Sequence, residues 1–166
     1  MTMNVGETSM VRALRIDEQD LLARATLGNA NWPGPRFTLD QVLQMPVFAR
    51  YFASWPGPGD FGLVAEDSAG VPVGVVWLRY FAAASPGYGF VAESIPELCV
   101  WVAEGQRGHG LGTRMITGIL EQARFRALPA ISLSVETGNP ARVLYERFGF
   151  APAGPYFDAG TLVIYL

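Results

Sequence analysis

From Val11 to Ile16 apolar residues alternate with arginine, the two-residue period of a half-buried strand. Asp17 then stands as the cap of a helix running to about Gly28, with Asp20 at the third helical position and Leu21, Leu22 and Ala25 on one face. Asn31 to Pro35 is a loop. Thr38 and Gln41 have capping-box spacing, and the helical stretch they open runs to about Trp55 with a break near Pro46. At Phe61 the period changes. Phe61–Glu66 and Val71–Phe81 are β-rich runs joined by Asp67-Ser68-Ala69-Gly70, which reads as a hairpin. Ala82–Pro96 is a long connection. Leu98–Ala103 is apolar throughout and is expected to be buried on both faces. Leu111 to about Arg126 is an amphipathic helix, with Leu111, Met115, Ile119, Leu120 and Ala123 inward. Ile131–Glu136 is a strand, and Pro140–Arg147 is a short helix closed by Gly149. Phe150–Ala153 and Thr161–Leu166 are terminal strands.

This pattern predicts a mixed α/β fold of about seven strands with flanking helices and a largely antiparallel first half. One βαβ unit lies in its middle. Residues 1–9 read as a flexible tail and 10–166 as a single domain. Composition then removes several classes. The chain has 166 residues, 50% hydrophobic and 16% charged, so it can bury a core and is not disordered. The net charge is −3, without the basic surface of a nucleic-acid module. One cysteine and one histidine exclude a disulfide scaffold and a multi-histidine metal site. The start lacks the pattern of a signal peptide, and the longest apolar run, Val71–Ala84, is interrupted by Arg79 and too short to span a bilayer. A cytoplasmic protein with no nucleic-acid and no membrane partner is expected; a homodimer stays open.

The densest chemical signal is Gln106-Arg107-Gly108-His109-Gly110-Leu111-Gly112, which follows a strand and opens the best helix. Glycines let a ligand approach the backbone, and a helix N-terminus offers unpaired N–H groups and a positive dipole end. This suits a pyrophosphate. A P-loop is excluded because the chain has no lysine. A dinucleotide fingerprint fails because the sixth position from Gly108 is Thr113, although Glu136 stands where a ribose-binding acid could sit.

The stretch Arg107-x-x-Gly110-x-Gly112 resembles the Q/R-x-x-G-x-G/A motif of the GCN5-related N-acetyltransferases, the GNAT superfamily. Asn139-Pro140-Ala141-Arg142-Val143-Leu144-Tyr145-Glu146-Arg147-Phe148-Gly149-Phe150 is similar to that family's later N-x-x-A-x-x-L-Y-x-x-x-G-F segment. The similarity runs from about Phe61 to Leu166, and the element order agrees. It implies the GNAT fold, a mixed and mostly antiparallel central sheet of about seven strands flanked by helices, with acetyl-CoA as cosubstrate, bound where the strands Leu98–Ala103 and Ile131–Glu136 splay, and no metal. By resemblance, Val100 and Val102 would bond the pantetheine arm through their backbones, as an added strand does. Arg107, Gly108, Gly110, Gly112 and Thr113 would hold the pyrophosphate. Asn139 would bind the arm, and Ala141 would leave it room.

The implied reaction is N-acetyl transfer to a primary amine of a small molecule or peptide, by direct attack in a ternary complex. Tyr145 occupies the family's general-acid position; otherwise it would read as a packed aromatic. For the base, Glu97 and Glu93 are both candidates. Histone-type members carry their glutamate one residue further from the Arg107 motif than Glu97, and such a shift turns a strand side chain to the other face, so Glu97 is expected to face away unless the strand bulges. Cys99 reads as core. His109 could touch phosphate or face solvent. Arg107, Arg114 and Arg142 could form a basic rim. Trp32, Phe37, Phe48, Tyr51, Phe52, Trp55, Tyr80, Tyr88 and Phe90 gather in the variable acceptor region, compatible with an apolar or aromatic amine. The alternative is a non-catalytic CoA-binding or regulatory domain; a nucleotide binder taking NAD is a third reading.

Overall fold

A computed structural model describes residues 9–166; of the expected tail, residues 1–8 lie outside the described part. Seven strands form one sheet in the order β1-β2-β3-β4-β5-β7-β6. They are β1 (Met10–Ala13), β2 (Phe61–Glu66), β3 (Pro72–Arg79), β4 (Glu97–Val102), β5 (Ala130–Ser134), β6 (Ala151–Pro152) and β7 (Thr161–Tyr165). All neighbours are antiparallel except β4 and β5, the two strands of the βαβ unit. The helices are α1 (Gln19–Ala30), α2 (Leu39–Gln44), α3 (Pro46–Ala49), α4 (Leu111–Phe125) and α5 (Ala141–Phe148). No helix among the described residues is long and apolar enough to cross a membrane.

The sheet separates two cores. On one face Leu22 and Ala25 of α1, Val42 of α2 and the Tyr51–Trp55 turn pack on Val64, Val75 and Trp77. On the other, Met115, Ile116, Ile119 and Ala123 of α4 pack on Leu63, Ala65, Val76 and Leu78. Neighbouring residues of β2 and β3 thus enter opposite cores, and these strands are buried on both faces. That is where double-sided burial occurs. β4 departs from expectation: only Glu97 and Leu98 are buried, and Cys99 to Val102 are half-buried.

Local bonds explain the remaining differences. β1 ends at Ala13 because the chain turns at Arg15, whose carbonyl accepts from the Glu18 N–H at 3.3 Å. Glu18, not Asp17, is the N-cap of α1, which puts Asp20 at the second helical position. Glu18 supplies no cap bond. Its carboxylate accepts instead from the Arg12 guanidinium at 2.6 and 2.9 Å and from the Arg15 N–H at 2.7 Å. The box at α2 is present: the Gln41 N–H donates to Thr38 Oγ1 at 3.2 Å, and the Thr38 N–H to Gln41 Oε1 at 2.9 Å. Residues 50–55 are turns rather than helix. Their carbonyls serve the sheet: Trp77 Nε1 donates to Tyr51 O at 3.0 Å, and Arg79 donates to Ala53 O.

Candidate active site

β4 and β5 pair at one position only, Glu97 opposite Ser132, where the Ser132 N–H donates to Pro96 O at 3.0 Å. Past it they diverge, and a cavity of about 660 Å³ opens. Because both faces of β4 border this space, its apolar side chains are only half-covered. The Ala103 N–H bonds to Val73 O on β3 at 2.8 Å. Alternate residues of an antiparallel edge point the other way, so the backbone groups of Leu98, Val100 and Val102 face the gap.

At one end stands the glycine turn. Gly108 and Gly110 have φ of 79° and 80°, the left-handed region that glycine adopts without strain. A Cβ at either would meet nothing within 4 Å. Gly110 is the N-cap of α4 and supplies no side-chain acceptor, so the N–H groups of the first turn remain uncapped beside the cavity. Arg107 lines it too, and its Nε donates to Val102 O at 3.2 Å. The residues therefore fit an anionic ligand: N–H donors, a positive helix end and one arginine, with no carboxylate bonded among them. Of the proposed rim, Arg107 alone lines the space. Arg142 is tied to Glu146 and Ala159 O, and Arg114 to Ser9 O. His109 is exposed and outside the lining.

Asn139 Oδ1 accepts from the Ala141 N–H at 3.0 Å, holding the start of α5; both residues border the cavity. Tyr145, one turn further, is buried against Phe150, ring centroids 6.2 Å apart, and reaches the cavity. Its hydroxyl has no hydrogen-bond partner among the described residues. Burial, with a smaller contribution from the nearby Cys99, raises its pKa above that of an ordinary phenol.

At the opposite end lies Glu97, 2% exposed. It shares a strand face with Cys99 and Trp101, toward α1, and no bulge is needed to bring it into the cavity. Glu97 Oε1 accepts from Tyr51 Oη at 2.7 Å and from the Gly89 N–H at 3.0 Å, while Oε2 has no partner. Burial raises its pKa to about 7, against the two hydrogen bonds that lower it. Gly87 and Gly89 are required here. A Cβ at Gly87 would fall 2.1 Å from Glu97 Oε2, and one at Gly89 would fall 2.5 Å from the Leu133 backbone. Glu93, the other carboxylate considered, is exposed, accepts from the Ala83 N–H and lies outside the lining.

Three features escaped the sequence reading. Tyr51 holds Glu97 from a turn 46 residues away. Arg36 and Trp32 both donate to Glu136, so the loop after α1 is fastened to the segment that follows β5, and all three residues line the cavity. Glu136 is thereby engaged, and the hydrogen bond from Arg36 holds its carboxyl below its usual pKa. Cys99 was expected in the core; it packs against the α1-side core but is only half-buried, because it also lines the cavity. Burial still pushes its thiol pKa well up, so it is a neutral thiol and not an activated nucleophile. Cys99→Ala is expected to keep turnover within about threefold of the parent in steady-state assays. Complete loss of turnover in a folded variant would revive a covalent cysteine step.

The sequence model of the Acetyltransferase (GNAT) family matches residues 27–150. An L-methionine sulfoximine/L-methionine sulfone acetyltransferase of Pseudomonas aeruginosa is 34% identical over 99 residues, covering 59% of this chain and 55% of that protein. The chain thus spans about half the length of that relative. A GNAT-family acetyltransferase of Staphylococcus aureus superposes with a TM-score of 0.68 at 13% identity, covering 96% of this chain and 99% of the other. A GNAT acetyltransferase of Brucella melitensis, solved with acetyl-CoA, gives 0.59 at 19% identity over 96% and 89%.

Proposed function

Because the chain belongs to the GNAT acetyltransferase family, we propose that it moves an acetyl group from acetyl-CoA to the primary amine of a small molecule or peptide, by direct attack in a ternary complex. The observation that carries this reading is one cavity lined by an uncapped helix N-terminus, a buried phenol and a buried carboxylate. Acetyl-CoA supplies the activated thioester: the amine nitrogen bonds to its carbonyl carbon, the C–S bond breaks, and an amide and free CoA thiol result.

The glycine turn, Gly108 to Thr113 with Arg107, binds the pyrophosphate through N–H groups, helix dipole and guanidinium. Val100 and Val102 bind the arm along the open edge of β4. The Val100 N–H also stabilises negative charge on the carbonyl oxygen. Asn139 has its Oδ1 engaged, which leaves its Nδ2 to donate to the arm; Ala141 keeps the space beside it small-walled. Tyr145 holds the proton that the departing sulfur takes. Glu97 accepts the proton the amine loses, and Tyr51 and the Gly89 N–H orient it.

This assignment predicts a pH profile. Glu97 accepts a proton only when ionised, so activity should fall as pH drops through about 7. Glu97→Gln should remove that acid limb and lower turnover by roughly 100-fold. Stability gives an independent readout. The folded carboxyl titrates near 7, above its ordinary 4.5. The folded state therefore binds the extra proton, and the parent loses stability as pH rises from about 4.5 to about 7. Thermal unfolding of Glu97→Gln should be flatter over that window. An unchanged acid limb in the variant would remove Glu97 as the base. For the function itself, acetyl-CoA binding by calorimetry and thiol release with an amine panel are decisive. Binding without turnover on any amine would leave a non-catalytic CoA-binding domain.

A further inference from the structure

The acceptor end of the cavity is chemically one-sided. Phe37, Phe48, Tyr51, Tyr88 and Trp101 line it together with Glu97. The rings stack on one another: Phe37 and Phe48 meet edge to face at 4.9 Å, and Tyr51 and Tyr88 lie nearly parallel at 6.4 Å. Gly28 of α1 is open for the Trp101 indole, which would lie 2.3 Å from a Cβ there. The wall is therefore built around aromatic faces and does not collapse onto them.

Charge in this space is equally restricted. Two cations line the cavity among the described residues, Arg36 and Arg107. Arg107 belongs to the glycine turn. Arg36 is committed: its guanidinium donates to Glu136 Oε2 at 2.9 Å and to the Ala30 carbonyl, and the charges of Arg36 and Glu136 cancel. What remains is Glu97, whose side chain lines the cavity and whose Oε2, buried beside Gly87, has no hydrogen-bond partner. A group carrying one positive nitrogen on an apolar or aromatic body meets both the carboxylate and the rings. A carboxylate on the same molecule would find no uncommitted cation at this end and would lie near a like charge.

Resting on the acetyl-transfer reading, we infer that the acceptor is a monoamine with an apolar or aromatic body and no carboxylate. This separates the chain from its methionine sulfoximine-acetylating relative, whose named substrates are amino-acid derivatives.

The test uses the whole chain with acetyl-CoA and three amines that share a phenylethyl body: 2-phenylethylamine, L-phenylalaninamide and L-phenylalanine. The amide keeps the branch of the amino acid without its charge. The expected result is a kcat/KM for the first two at least roughly tenfold above that for L-phenylalanine. The three amines differ in basicity and so in the fraction of free amine, so each rate is measured at two pH values. A ratio below tenfold, or preference for L-phenylalanine, overturns the acceptor assignment while turnover upholds acetyl transfer. Turnover on none of the three, with acetyl-CoA bound in calorimetry, also overturns it. Failure to bind acetyl-CoA overturns the functional reading beneath it.

Discussion

Gly112→Asp is expected to lower acetyl-CoA affinity by roughly 100-fold or more, about 3 kcal/mol, in a protein that stays folded. The site is the first turn of α4, whose N–H groups carry no side-chain cap. An aspartate there brings a like charge to the proposed pyrophosphate site. Two unit charges about 4 Å apart near a protein surface interact with about 4 kcal/mol, enough to cancel the attraction the turn provides. A Cβ at Gly112 would have Leu144 and Val102 at 3.6 and 3.8 Å, ordinary contact distances, so the backbone need not move. An acid in the first turn of a helix favours the helix dipole. Stability should therefore hold or rise while binding falls, which separates the two effects. Gly110→Asp should lose binding as strongly but also lose stability, because Gly110 sits at φ 80°. Calorimetry against acetyl-CoA, paired with thermal unfolding, reads both. Parent-like affinity in folded Gly112→Asp would remove the pyrophosphate from this turn.

Tyr145→Phe is expected to cut turnover roughly 10- to 1000-fold while acetyl-CoA affinity changes by only a few fold. The substitution removes one hydroxyl, which makes no hydrogen bond to the described residues, so the packing on Phe150 survives. The phenol's raised pKa keeps it protonated through the working range. The burial that raises it also disfavours a bare thiolate beside it, which makes the sulfur a stronger proton acceptor. Steady-state kinetics with a pre-steady-state check for slow product release would test this. Unchanged turnover where chemistry limits the rate would mean that solvent protonates the sulfur.

Much of this protein is written locally. The glycines of the Arg107–Gly112 turn were legible because left-handed backbone and an uncapped helix start demand them at fixed spacing. The amphipathic period of α4, the Thr38 box and Gly149 at φ 102° are also short-range facts, and the structure has each of them. Element order followed, and with the two motifs so did the family.

Other features could not be read this way, because they join residues far apart in sequence. The Glu97 carboxylate is set by Tyr51 from a turn 46 residues earlier. Gly89, seated on β5, adds its N–H. No periodicity encodes that meeting; it exists because the turn after α3 and the 86–90 segment converge on one end of β4. The double-sided burial expected for β4 fell to β2 and β3 for a similar reason. An apolar strand reads the same whether helices cover it or it borders a gap. The sequence by itself determined most of the elements, the glycine turn and the family, since these depend on neighbours along the chain. The tertiary structure alone decided which carboxylate enters the cavity, which arginines line it and that Cys99 faces it, since these depend on where β4 and β5 part.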